Sequence, residues 1–177
     1  MDFPLLKTFQ VDPQTIDFLN QKRQQYFENH PTKPAENIVY MSDTGRFSGN
    51  LASWEDKEYQ QFVHEELVNS ISILINLPKE KIDLHHQYVW DYKDGGYVKP
   101  HNHSHAEDFV VIIYLNDCDK GKTIFYLNEK EHFRERTKIE ISPIKGNGVC
   151  FSSLLVHEAE LTSESKKIFV SGVRVNL

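Results

Sequence analysis

The chain is 177 residues long, 39% apolar, with a formal net charge of −6 and acids interspersed with bases. That size and composition suit one packed domain spanning residues 1–177. They exclude a basic nucleic-acid-binding block, and no apolar run approaches the ~18 residues of a helical membrane span. Cys118 and Cys150 share no motif and read as reduced thiols, and no secretory leader pattern is visible. A cytoplasmic protein without nucleic-acid or membrane partners is therefore expected, its oligomeric state open.

Leu5 to Val11 is predicted as a short strand. Asp12-Pro13 then starts a helix, with Asp as N-cap, Pro at the first helical position, and Val11 and Ile16 placed as a hydrophobic staple. Asn29-His30-Pro31 ends it, and a short strand is expected over Ile38 to Met41. Asp43 to Asn50 (DTGRFSGN) reads as a flexible loop. Ser53, with Asp56 three residues on, gives a capping pattern for a second helix. Its apolar stripe is Tyr59, Phe62, Val63, Leu67, Ile71 and Leu74, and Asn76 to Pro78 stops it. Residues 1–80 thus read as helical support for a sheet.

From residue 81 the pattern is that of strands. Ile82, Leu84, His86, Tyr88, Trp90 and Tyr92 alternate and are expected on one face of a long strand. Gly95-Gly96 turns the chain, and Val98 to His103 is a short strand or strand end. Phe109 to Leu115 is unbroken and apolar, as a buried strand should be. Further strands are expected over Thr123 to Leu127, Lys138 to Ile141, Val149 to Phe151 and Ile168 to Val175. Helices followed by many short strands predict an α+β, mainly β fold: a sandwich or jelly roll over 81–177 braced by N-terminal helices.

The chemistry concentrates in YKDGGYVKPHNHSHAEDFVVIIYL, Tyr92 to Leu115. His101, His103 and His105 alternate, so on a strand they would share a face, where imidazoles can take one divalent ion. His105 reads equally well as a solvated loop residue. His157, following the Gly146-Asn147-Gly148 turn, is the natural distant partner. His64, His85, His86 and His132 have no spaced partner and read as surface, core or pocket residues.

Four pieces in order resemble the 2-oxoglutarate- and iron(II)-dependent dioxygenases, in particular their small prolyl-hydroxylase-like branch. They are YKDGGYVKPH, FVVIIYLND with the following GKTIF, PIKGNGVCFSSLLVHE, and KKIFVSGV. The resemblance covers about half the chain, Tyr88 to Val175. It implies a double-stranded β-helix that hydroxylates an amino-acid side chain, peptidyl or free, or a small metabolite. Iron(II) would serve as the cofactor, and 2-oxoglutarate and dioxygen would be consumed with release of succinate and carbon dioxide. It implies His101 and His157 as iron ligands, and Lys167 as the cation for the distal carboxylate of 2-oxoglutarate. Lys167 is preferred over its neighbour Lys166 because it shares parity with Phe169 and Ser171. Tyr92 and Tyr114 would hydrogen-bond that carboxylate, while Trp90, Tyr88 and the Asp43–Asn50 loop would shape the substrate mouth.

The chain departs from the family at one position. The family's first motif is His-X-Asp or His-X-Glu, and here the second ligand position is His103, with Glu107 as the alternative third ligand and Asp108 beside it. Two other readings stand. Gly95, His101, His103 and Glu107 fit a first cupin motif, although Tyr114 stands where that motif has a glycine and Gly148 to His157 is too long for the second. A ligand-binding module whose metal site has been lost is the non-enzymatic alternative.

Overall fold

The computed structural model describes residues 6–30, 46–93, 95–103, 106–127, 137–162 and 164–176. Within them the strands are β1 (Leu6–Gln10), β2 (Arg46–Asn50), β3 (Ile82–Tyr92), β4 (Val98–His101), β5 (Phe109–Tyr114), β6 (Thr123–Tyr126), β7 (Lys138–Ile141), β8 (Asn147–Ser152), β9 (His157–Ala159) and β10 (Lys166–Val175). Three α-helices, α1 (Pro13–Asn29), α2 (Lys57–Phe62) and α3 (Val68–Ile75), precede β3. The strands make a six-stranded sheet, β1-β8-β5-β10-β3-β2, and a four-stranded one, β4-β9-β6-β7, with antiparallel pairing in both.

Local chemistry explains the helix ends. Asp12 keeps an extended backbone and accepts a hydrogen bond from the Thr15 amide at 2.9 Å, satisfying one of the first-turn donors. The second helix starts later than expected. Asp56, not Ser53, is its cap, accepting from the Tyr59 amide at 2.8 Å. Between α2 and α3, residues 63–67 form a π-helical turn in which the Val68 amide reaches back to the Val63 carbonyl. That extra residue per turn shifts the phase of the stripe, so Ile75 rather than Leu74 becomes its last fully buried member. Asn76 ends α3 in the left-handed conformation, φ 56°.

The helical stripe packs on the outer face of the six-stranded sheet. Tyr59, Phe62, Leu67 and Ile71 meet Val89, Val111, Ile113 and Phe169 there. A second core lies between the two sheets, where Tyr92, Val110, Ile112, Tyr114 and Ile168 face Val98 and Phe125. The unbroken apolar run of β5 follows directly: alternate residues feed two different cores, so neither parity is polar.

Two sequence expectations change. Arg46–Asn50, expected in a loop, is β2, pairing with β3 from Arg46 opposite Tyr92 to Asn50 opposite Tyr88. Residues 43–45 and the strand expected over Ile38 to Met41 lie outside the described residues. The face expected for all even residues of β3 is also broken. Gly172 pairs with His86 but Val173 pairs with Leu84, so His85 is an extra residue in a bulge. One inserted residue inverts alternation: Ile82 and Leu84 join the helix-side core, whereas Trp90 and Tyr92 serve the inter-sheet core.

Candidate metal centre

β4 and β9 bring the two distant parts of the motif together. His101 lies directly opposite His157 in their antiparallel ladder. Val98 pairs with Ala159, so three steps on β4 match two on β9. The surplus falls at Lys99-Pro100, where proline has no amide hydrogen to give to the ladder. The bulge turns His101 to the same side as Val98, which strict alternation would forbid. β4 ends at His101, so His103 arrives by a loop rather than by strand periodicity. Its amide donates to the Ser153 carbonyl at 2.8 Å, which ties that loop to the β8–β9 connection.

The three rings converge. One nitrogen from each of His101, His103 and His157 lies within 4.8 Å of the others. Bonds of ~2.0–2.1 Å to one ion would close this set with a slight inward tilt of the rings. Ring centroids stand 4.3 Å apart for His101 and His157, and 5.2 Å for His103 and His157. His101 Nδ1 lies 2.9 Å from the Lys99 carbonyl and His157 Nδ1 3.1 Å from the Leu155 carbonyl. A carbonyl only accepts, so both Nδ1 atoms carry the hydrogen and each neutral ring leaves its Nε2 lone pair for an ion. Burial first, and the neighbouring His101 second, push His157 well below the usual histidine pKa. It therefore stays neutral, the form that binds metal. Phe125 and Phe151 wall the site, with centroids 5.8 and 4.6 Å from the His157 ring.

Glu107 is not within this cluster. It sits behind it, with Oε2 3.2 Å from His103 Nδ1 and Oε1 2.8 Å from His86 Nδ1. His86, read from the sequence as a surface, core or pocket residue, is the partner of this carboxylate. Its parity with Tyr88 on β3 was the available signal. His105 lies outside the described residues.

A second polar centre shares the inter-sheet core. Lys166 is 1% exposed, donates to the Gly121 carbonyl at 2.8 Å, and lies 4.4 Å over the Tyr92 ring. Tyr114 donates to Thr123 at 2.7 Å. Gly121, with φ +90°, is itself tight against Thr162. Burial lowers the Lys166 ammonium to a pKa of about 8. The two centres are joined by β6: Thr123 meets Tyr114, and Phe125, two residues on along the same face, meets His157. That is about 7 Å along a strand.

The parity argument for Lys167 is corrected. Lys167 pairs with Asp91, which bonds Arg23 of α1 at 2.5 Å, and it shares its face with Phe169 of the helix-side core. Lys166, opposite Tyr92, is the residue that points between the sheets. Tyr88 and Trp90 stand on that inner face of β3, centroids 5.7 Å apart, with Trp90 packed against the inter-sheet core.

No protein-family model matches the chain, and no curated protein matches it by sequence. Solved structures do. A Pseudomonas putida prolyl-4-hydroxylase superposes with TM-score 0.72 at 14% identity, over 97% of this chain and 92% of that one. A Trichoplax adhaerens prolyl hydroxylase, solved with a peptide of the hypoxia inducible factor oxygen degradation domain, gives TM-score 0.72 at 15% identity, over 97% and 84%. The epimerase SnoN from nogalamycin biosynthesis, in complex with Fe3+, alpha ketoglutarate and nogalamycin RO, gives 0.71 at 13%, over 97% and 79%. The fold is that of the 2-oxoglutarate-dependent iron oxygenases. These neighbours include hydroxylases and an epimerase, so the shared frame is broader than one reaction.

Proposed function

We propose that the protein is a non-haem iron(II)- and 2-oxoglutarate-dependent oxygenase. It hydroxylates an amino-acid side chain, peptidyl or free, or a small metabolite, and releases succinate and carbon dioxide. The supporting observation is the pairing of two centres in one apolar core: three converging imidazoles beside Phe125, and a buried ammonium bonded to Gly121, just before β6 on the same segment. The sheet orders fit a jelly roll, here a double-stranded β-helix whose strands β3 to β10 come from 81–177, with β1 and β2 extending the six-stranded sheet at its two edges and the helices bracing it.

The donor set suits iron(II): three imidazoles on one side would leave coordination positions for small oxygen ligands. His101, His103 and His157 hold the ion, and Glu107 stays behind His103. Bound iron and 2-oxoglutarate supply the oxidising power that side chains lack. Lys166, rather than Lys167, takes the distal carboxylate of the cosubstrate, and Tyr92 and Tyr114 border that subsite. An ammonium in a dry pocket is a strong partner for a carboxylate. Phe125, Phe151 and Ile168 exclude water between the centres, and Trp90 and Tyr88 line the side where substrate enters.

The test is anaerobic loading with iron(II) and 2-oxoglutarate, followed by admission of oxygen. Together the two ligands should raise the melting temperature, since a ligand that binds only the folded state stabilises it. Oxygen uptake should then be coupled to succinate formation. In His157→Ala iron loading should be lost. No thermal shift with both ligands, or unchanged iron content in that variant, would remove the proposal and leave the binding-module reading.

A further inference from the structure

The all-histidine set would put no negative charge on the ion, yet a carboxylate is not missing from the neighbourhood. Glu107 is 6% exposed at its side chain and lies across β10 between two imidazoles. It can lie there because position 172 is glycine. A Cβ at Gly172 would stand 2.5 Å from Glu107 Cγ and 2.5 Å from its Oε1, closer than side-chain atoms approach. His86 Nδ1 holds one oxygen at 2.8 Å. The other oxygen has no satisfying hydrogen bond except what His103 Nδ1, 3.2 Å away, can supply. A buried carboxylate oxygen left without a donor is costly, so a small turn of the His103 ring that aims its N–H at this oxygen is favoured.

We infer that Glu107 is a positioning residue for the metal centre: standing behind His103, it fixes that ring with Nε2 toward the ion and lends the ligand the negative charge the set lacks. The chemistry is that of a carboxylate–histidine–metal triad, in which the outer acid makes the imidazole a stronger donor. His86 clamps Glu107 from the far side, and Gly172 clears its place. This rests on the iron-site reading given above.

The probe is cobalt(II) bound to the full chain, alongside iron(II) affinity by chelator competition. The parent should show an exchangeable imidazole N–H signal, shifted by cobalt, for each of three histidines. In Glu107→Gln, which keeps the shape and removes the charge, one of these signals should move and the other two stay. Iron affinity should fall about tenfold, the lower end of the range for outer-sphere partners. Gly172→Ala should reproduce both changes by displacing an intact carboxylate, and it serves if the glutamine variant does not fold. Three unmoved signals with affinity within twofold of the parent would overturn the inference while leaving the iron site standing. A signal count of two in Glu107→Gln would overturn it by making the carboxylate essential to ligation itself. A parent that binds neither metal would remove the site reading beneath it as well.

Discussion

Two buried lysines, one on each side of the six-stranded sheet, show how differently the same group can be used. Lys22 of α1, 3% exposed at its side chain, sits between Asp56 at 2.8 Å and Glu58 at 2.6 Å on the helix side. Burial alone would lower its pKa, but the two carboxylates outweigh burial and raise it. Lys166, between the sheets, has no carboxylate of the described residues within 4.0 Å, and burial lowers it to about 8. Its neighbours are a carbonyl and an aromatic face. The helix-side lysine is held between two carboxylates. The inter-sheet lysine has none within that distance among the described residues, and on the proposed function it is the cation left for an anionic ligand.

Four measurements can sharpen or break the contrast. Lys166→Met should weaken 2-oxoglutarate binding at least ~100-fold by calorimetry, because it removes a charge-assisted contact in a dry site. The same variant should melt no lower than the parent at pH 7, since an uncompensated buried charge disfavours folding. A large fall in melting temperature with cosubstrate affinity intact would make Lys166 structural. Lys22→Met should do the reverse. It leaves Asp56 and Glu58 without their cation and should cost about 2 kcal/mol in urea unfolding, below the full buried-pair range because Glu58 is exposed. Its affinity for 2-oxoglutarate should stay within twofold.

The pH dependence carries a definite sign. The folded pKa of Lys166, about 8, lies below the ordinary lysine value. Binding of a carboxylate needs the protonated form, so the dissociation constant should be flat below pH 8 and rise up to about tenfold per unit above it. In the ligand-free protein the unfolded chain holds the extra proton between pH 8 and the ordinary value. Lys166 alone should therefore add stability as pH rises through that window. Lys166→Met should abolish both trends. The smallest effect is expected for Lys167→Met: cosubstrate affinity should change less than twofold, since that side chain belongs to the Asp91 face. A hundredfold loss there would restore the sequence expectation.

Much of the frame was legible along the chain. The Asp12-Pro13 helix start, the apolar β5 and the strand at Lys138–Ile141 lie where local rules put them. So do His101 and His157 as a converging pair. Two of the misreadings share one origin. At His85 and in the π turn of residues 63–67, one added residue shifts the phase of a repeat, and periodicity counted across it points to the wrong face. The parity used to prefer Lys167 over Lys166 points to the other face for a related reason. Phe169 and Ser171 do share its parity, but theirs is the helix-side face, and apolarity alone cannot tell two cores apart.

The order of residues by itself determined which side chains were available: alternating histidines, one distant histidine, adjacent lysines, and glycines at the turns. Those depend only on composition and local backbone preference. Tertiary structure decided which lysine is inside, why His103 meets its partners from a loop, and that Glu107 stands behind a histidine instead of within the three-histidine cluster. Each of these depends on the register between strands far apart in the chain, and register is set by how two opposed cores fill together, which no short window of sequence contains.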